Sequence, residues 1–168
     1  MAQSLSLDAP ALAPPQTRGL SAILATTDEV APFLARLTLG LIMFPHGAQK
    51  VLGWFGGYGF AGTMGFFHGK MGLPVALAAL AIFTEFLGSL GLLSGLLSRL
   101  SALGIAIMML VAIVMVHLPN GFFMNWNGDQ KGEGFEYHLL VLGLSLIVLF
   151  RGGGAWSFDR FLTRSPRR

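Results

Sequence analysis

The sequence predicts an all-α integral membrane protein, a four-helix bundle with a short interfacial helix in its first outer loop. Three observations lead there. Apolar residues make up 54% of the 168 residues and charged ones 11%, about half the charged share of a soluble domain. Four windows rich in Leu, Ile, Val, Phe, Ala, Gly and Met, roughly residues 31–53, 74–97, 100–118 and 135–150, approach or exceed the length a helix needs to cross hydrocarbon. The basic residues also separate by type, arginines toward one side of these helices and lysines toward the other.

Residues 1–30 mix Pro, Ser and Ala without a basic segment leading into an apolar one, so they predict a mostly disordered tail and no cleaved signal. In the first helix Arg36, Gly40, Met43, Gly47 and Lys50 share one stripe with His46 at its flank, so its cations face protein and not lipid. Pro45 deprives the Leu41 carbonyl of its partner and predicts a bend or a bound water. Loop 54–73 alternates aromatics with glycines, and Phe60, Thr63, Met64 and Phe67 follow helical spacing, which gives the interfacial helix.

The second helix carries Thr84, Gly88, Gly91 and Gly95 as a small-residue stripe for close helix contact, with Glu85 at its edge. The third ends near His117, and loop 119–134 adds Phe122, Phe123 and Trp126 among turn residues. The fourth is the shortest. Its uninterrupted apolar part, Leu139 to Phe150, supplies about 18 Å of rise, so Glu136 and His138 fall at or within the membrane mouth. Residues 163–168 read as a basic tail.

Arg18, Arg36, Arg99, Arg151, Arg160, Arg164, Arg167 and Arg168 belong to the tails, the link between helices two and three, or the helix ends on that side. Lys50, Lys70 and Lys131 belong to the other. This bias puts both termini in the cytoplasm of a bacterial-type inner membrane and the two long loops outside. It also assigns the positive charge to topology and lipid headgroups, which excludes a nucleic-acid surface. The absence of cysteine removes a dithiol relay, an iron–sulfur cluster and a thiolate metal site.

With that topology the polar residues sort by depth at about 1.5 Å per residue. Lys50, His117, Glu136 and His138 share an outer layer, and His46 lies one turn deeper. Glu85 falls near the midplane, where a carboxylate exposed to lipid is costly enough that it must face the bundle interior. His46 is its nearest partner by depth. Glu85 and His46 are therefore the candidate catalytic or proton-carrying pair, against the alternative that Glu85 is protonated and only fixes packing. Lys50 is a ligand contact or a snorkelling cation. Arg36 and Asp159 read as a structural ion pair on the cytoplasmic side. Glu136 and His138 are two apart, so at most one points at the bundle axis.

No convergent ligand spacing occurs within a helix, so no metal site is expected. Nothing near the histidines favours haem ligation. Aromatics over a buried His, Lys and Glu suit a lipid-soluble head group with carbonyl oxygens, which needs stacking surfaces and a proton donor at each oxygen. Trp54, Phe67 and Trp126 are the candidate walls, and Lys50, His117, Glu136 and His138 the candidate polar contacts.

The segments "ARLTLGLIMFPHGAQKVLG", "GLP", "TEFLGSLGLLSGLLSR" and "GFEYHLLVL" through "GGGAWSFDRFL" resemble, in that order, the segments of the DoxX family. The resemblance covers residues 31–162. It implies a small four-helix inner-membrane protein that partners soluble oxidoreductases, with named members associated with quinone-coupled thiosulfate oxidation and with oxidative-stress complexes. Arg36, His46, Lys50, Glu85, Glu136 and Asp159 match its polar signature. The resulting expectation is a membrane subunit of a quinone-linked redox complex that needs a partner protein to supply electrons. It holds no covalent cofactor, and a homo-oligomer is compatible with it. A non-catalytic membrane anchor or assembly factor is the alternative. A proton or small-solute transporter fits less well, because four helices without an inverted repeat leave little room for alternating access.

Overall fold

In hydrocarbon a backbone must satisfy its own hydrogen bonds, so long apolar runs with polar residues confined to one stripe fold as helices. A computed structural model describes residues 18–163; the expected tail residues 1–17 and 164–168 lie outside the described residues. Its helices are α1 (Arg18–Leu24), α2 (Val30–Val51), α3 (Gly59–Met64), α4 (Val75–Ser94), α5 (Ser98–Ala112), α6 (Glu136–Arg151) and α7 (Phe158–Thr163). Wider π turns extend α3 through Gly65–Lys70 and α5 through Ile113–His117. The four long helices close a bundle in which α2 packs on α4 and α6, and α5 packs on the same two. Leu39, Met43, Leu92, Ile105, Met109, Val141 and Val148 form its core.

Among the described residues three helices are long and apolar enough to cross a membrane: Val30–Val51, Val75–Ser94 and Ser98–Asn120. The fourth, α6, has 16 residues and rises about 24 Å, as its short apolar run led one to expect. The outward faces are apolar too, with Leu80, Val114, Leu140 and Phe150 exposed, which is the surface of a bundle solvated by lipid. The expected interfacial helix is α3 with its π extension. Helix α2 runs unbroken through Pro45.

Glycines set how closely the helices approach. A Cβ on Gly47 would lie 2.6 Å from Phe86 Cα and 2.8 Å from its nitrogen, so α2 and α4 touch there backbone to backbone. Two turns toward the α4–α5 turn, the space at Gly40 is filled by Leu93.

The end of the bundle at the α4–α5 turn is closed by polar contacts, and these correct two expectations. Arg36 and Asp159 are both buried, yet the described residues show no direct ion pair between them. Helix α4 ends at Gly95 in the left-handed conformation, leaving its last carbonyls without helical partners. The Arg36 guanidinium takes two of them, donating to Leu92 O at 2.6 Å and Leu93 O at 2.9 Å, and also donates to Gly153 O, in the corner after α6, at 2.9 Å. Asp159 does the converse, accepting the first N–H groups of α5 from Leu97 at 2.7 Å and Ser98 at 2.8 Å. Each charge meets the helix end whose dipole it complements.

The second correction concerns residues 18–30, expected as disordered tail. Residues 18–24 are helical, and residues 25–29 are tied to the corner after α6. Thr27 N donates to Arg151 O, Gly154 N to Thr26 Oγ1, Ala155 N to Glu29 O, and Arg99 Nε to Ala25 O. The glycines of "GGG" allow this: a Cβ on Gly152 would meet Ala25 O at 2.4 Å, and one on Gly154 would meet Phe33 N at 2.5 Å. Arg151 pairs with Glu29, and Arg160 with Asp28.

Two stability outcomes follow. Gly47→Ala should lower the melting temperature in detergent by the equivalent of about 1–3 kcal/mol through overpacking, whereas Gly143→Ala, with no atom within 4 Å of its Cβ, should be neutral or slightly stabilising. Arg36→Lys keeps the charge but loses the planar fork, and should cost about 2 kcal/mol or more by the same measurement. An Arg36→Lys protein as stable as the wild type would show that charge alone closes this end.

Candidate functional site

The Gly47–Phe86 contact determines what lies beside it. One helical turn after Gly47 is Lys50, and the residue before Phe86 is Glu85, so the close approach of the backbones brings the two side chains together. Lys50 Nζ stands 2.5 Å from Glu85 Oε2, with side-chain exposures of 24% and 7%. Depth alone pointed to His46 as the partner of Glu85. The lysine wins because its four-methylene stem carries the ammonium down to the carboxylate. His46 instead sets its ring 6.2 Å from that of Tyr137 on α6.

This pair forms part of the wall of a cavity of about 780 Å³ at the loop end of the bundle. Met43, His46 and Lys50 line it from α2, Thr84 and Glu85 from α4, and Tyr137 and His138 from α6. Phe66, Phe67 and Met71 reach it from the first loop, and Met124 and Glu133 from the second. Six of the chain's eight methionines are in the lining: Met43, Met71, Met108, Met109, Met115 and Met124. Methionine is flexible and polarizable, so such walls adapt to a planar or irregular guest.

A second polar group sits across from the ion pair. His138 is buried, its ring 4.1 Å from the His117 ring and 5.5 Å from that of Tyr137. His117 Nδ1 stands 2.8 Å from the Glu133 carbonyl oxygen. Because a carbonyl only accepts, Nδ1 of His117 carries the hydrogen there. His138 Nδ1 is buried with no hydrogen-bond partner among the described residues. The π turn Ile113–His117 shifts the register at the end of α5, and this is what presents His117 to α6.

Other expected site residues are placed elsewhere. Glu136 turns away from the axis to hold the second loop, accepting from Met124 N at 2.9 Å and Trp126 Nε1 at 3.2 Å, so of the Glu136 and His138 pair only the histidine faces inward. Trp126 and Trp54 do not line the cavity; both are exposed, the first held by Glu136 and the second packed edge-on against Phe55. Phe67 alone of the three proposed aromatic walls contributes. Tyr137 and the methionines were missed. A signal was present for the tyrosine, which stands between two residues already singled out, and for Met43, which shares the inward stripe of the first helix. Among the described residues no three His, Asp or Glu side chains converge as a metal site.

The bundle with its membrane-spanning helices, and a largely apolar cavity at one end holding a few polar groups, defines a small multi-pass membrane protein. The DoxX family profile matches residues 31–118, and the chain belongs to the DoxX family. It is 28% identical over 137 residues to Inner membrane protein YqjF of Escherichia coli (strain K12), covering 82% of this chain and 95% of that one. It is 30% identical over 121 residues to the Bacillus subtilis (strain 168) protein named "Putative oxidoreductase CatD", covering 72% of this chain and 85% of that one. No solved structure matches the chain.

The Lys50–Glu85 contact is testable by a double-mutant cycle. Lys50→Met or Glu85→Gln alone should cost about 1–3 kcal/mol, because each strands the other charge in a mostly buried place. The double variant should cost clearly less than the sum, a coupling of about 1 kcal/mol or more in thermal unfolding in detergent. Additive costs would mean the two groups do not interact.

Proposed function

We propose that this chain is the membrane subunit of a quinone-linked redox complex and binds a quinone-like head group in the loop-end cavity. The observation that carries the reading is the Lys50–Glu85 pair facing, together with the His138 ring, one methionine-walled cavity. A cyclic dicarbonyl presents flat apolar faces and an oxygen at each of two edges. Methionine and Phe67 suit the faces. Lys50 suits one oxygen as a donor, His138 or Tyr137 suits the other, and Glu85 and His46 lie where protons are exchanged with the ring. Electrons come from a partner protein, since the chain has no cysteine and no recognisable cofactor motif.

Two further features support the reading. One relative is named an inner membrane protein and another carries an oxidoreductase name. The arginine bias supports an inner-membrane orientation with both termini cytoplasmic, which puts the cavity in the outer leaflet.

The test is purification from bacterial membranes in mild detergent, solvent extraction and mass spectrometry. Quinone should be enriched over the quinone-to-phospholipid ratio of the bulk membrane, and His138→Phe, folded to the same melting temperature, should lower the retained quinone about tenfold, the equivalent of one lost hydrogen bond. Quinone at the bulk ratio in repeated preparations would defeat the proposal. Capture of a redox enzyme that stays active with the Lys50→Met/Glu85→Gln double variant would support the anchor role instead.

A further inference from the structure

Helices α4 and α5 touch near their connecting turn and part toward the loop end. Near the turn, a Cβ on Gly91 would lie 2.3 Å from Ser101 Oγ, one on Gly88 3.4 Å from Ile105 Cδ1, and one on Gly104 2.8 Å from Thr84 Cγ2. Beyond Thr84 and Gly104 both helices contribute to the cavity wall. Leu77 and Leu80 do so from α4, and Ile107 and Val111 from α5. These same four side chains are exposed on the outer surface of the bundle. Residues that line a cavity and also face outward mark its mouth, and here the outward face is the apolar, lipid-contacting one.

We infer that the cavity opens sideways into the bilayer between α4 and α5, above a floor made by Thr84 and Gly104, and that its ligand is a ring with a hydrocarbon chain leaving through this opening. The inference rests on the head-group reading above and adds the route and the second half of the ligand. All four residues at the mouth are aliphatic, so the opening offers no partner to a polar substituent. It is continuous with the interior that holds Lys50, Glu85 and His138, so one molecule with a ring bearing polar oxygens and an apolar chain matches both environments at once. In the membrane such a ligand slides from the acyl layer to the Lys50–Glu85 and His138 groups with its chain never entering water.

The test compares two ligands of identical ring, a dimethoxy-methyl-benzoquinone bearing a decyl chain and the same ring without it, on protein in phospholipid nanodiscs. Because the chain stays in lipid, wild-type protein should bind the two ligands to within about threefold of each other when affinity is referred to concentration in the lipid. Ala81 lines the cavity on α4, and Ala81→Phe, which places a ring in the mouth, should weaken the chain-bearing ligand about tenfold or more while the chainless ring binds as before. If Ala81→Phe does not melt cooperatively, Ala112→Phe fills the mouth from α5 and is read the same way. Wild-type protein that binds only the chainless ring overturns the opening and leaves the head-group site standing. So do fillers that leave the chain-bearing ligand bound as tightly as in the wild type. Failure of wild-type protein to bind either ring overturns both.

Discussion

The contact between Gly47 and the backbone at Phe86 is the constraint on which the rest of this structure depends. An ionisable side chain deep in a membrane bundle needs a partner of opposite charge close at hand, and long side chains find one reliably only where the backbones are nearly touching. Glycine permits that approach. Lys50 lies one turn along from it and Glu85 beside it, so the pair is a consequence of helix packing. Without it α4 would carry an unmatched carboxylate in its interior face, and the α2–α4 seam, the most extensive in the bundle, would carry a penalty at its centre.

The two ends of the bundle solve opposite problems. At the α4–α5 turn, buried helix termini present carbonyls and N–H groups that lipid cannot satisfy; Arg36 and Asp159 satisfy them, and the glycine-rich corner lets residues 25–29 seal the outside. That end is closed by charges matched to helix termini. At the loop end two π turns replace regular helix, and the Lys50–Glu85 pair and the two histidines line a cavity. The local sequence chemistry differs accordingly, with small residues and "GGG" at the closed end and methionines and histidines at the cavity end.

Much of this is legible in the sequence, because hydrocarbon restricts the options so severely. Apolar run lengths gave the helices, and the helical wheel placed Lys50, Gly47 and Arg36 inward. The two-residue spacing of Glu136 and His138 limited the axis to one of them. Side-chain reach was not legible: counting rise per residue assigned Glu85 to His46, because it located α-carbons and not the end of a lysine. Nor were backbone acceptors, which is why Arg36 and Asp159 looked like partners when each serves a helix terminus. The exposed tryptophans mislead for a related reason, since an aromatic in a loop faces a cavity or a headgroup according to hydrogen bonds such as that of Trp126 to Glu136. The π turn that presents His117 leaves no mark in residue type.

The most direct measurement of the central claim is the dipolar coupling between the Lys50 side-chain nitrogen and the Glu85 carboxyl carbon, by magic-angle-spinning NMR on labelled protein in lipid bilayers. Lys70 and Lys131 form no ion pair with a carboxylate among the described residues, so a lysine–carboxylate coupling reports Lys50. The packing of Gly47 on Phe86 predicts a strong coupling, corresponding to direct contact, that disappears in Glu85→Gln. A wild-type spectrum without that coupling would contradict the account, because it would mean that the α2–α4 seam does not bring the two charges together.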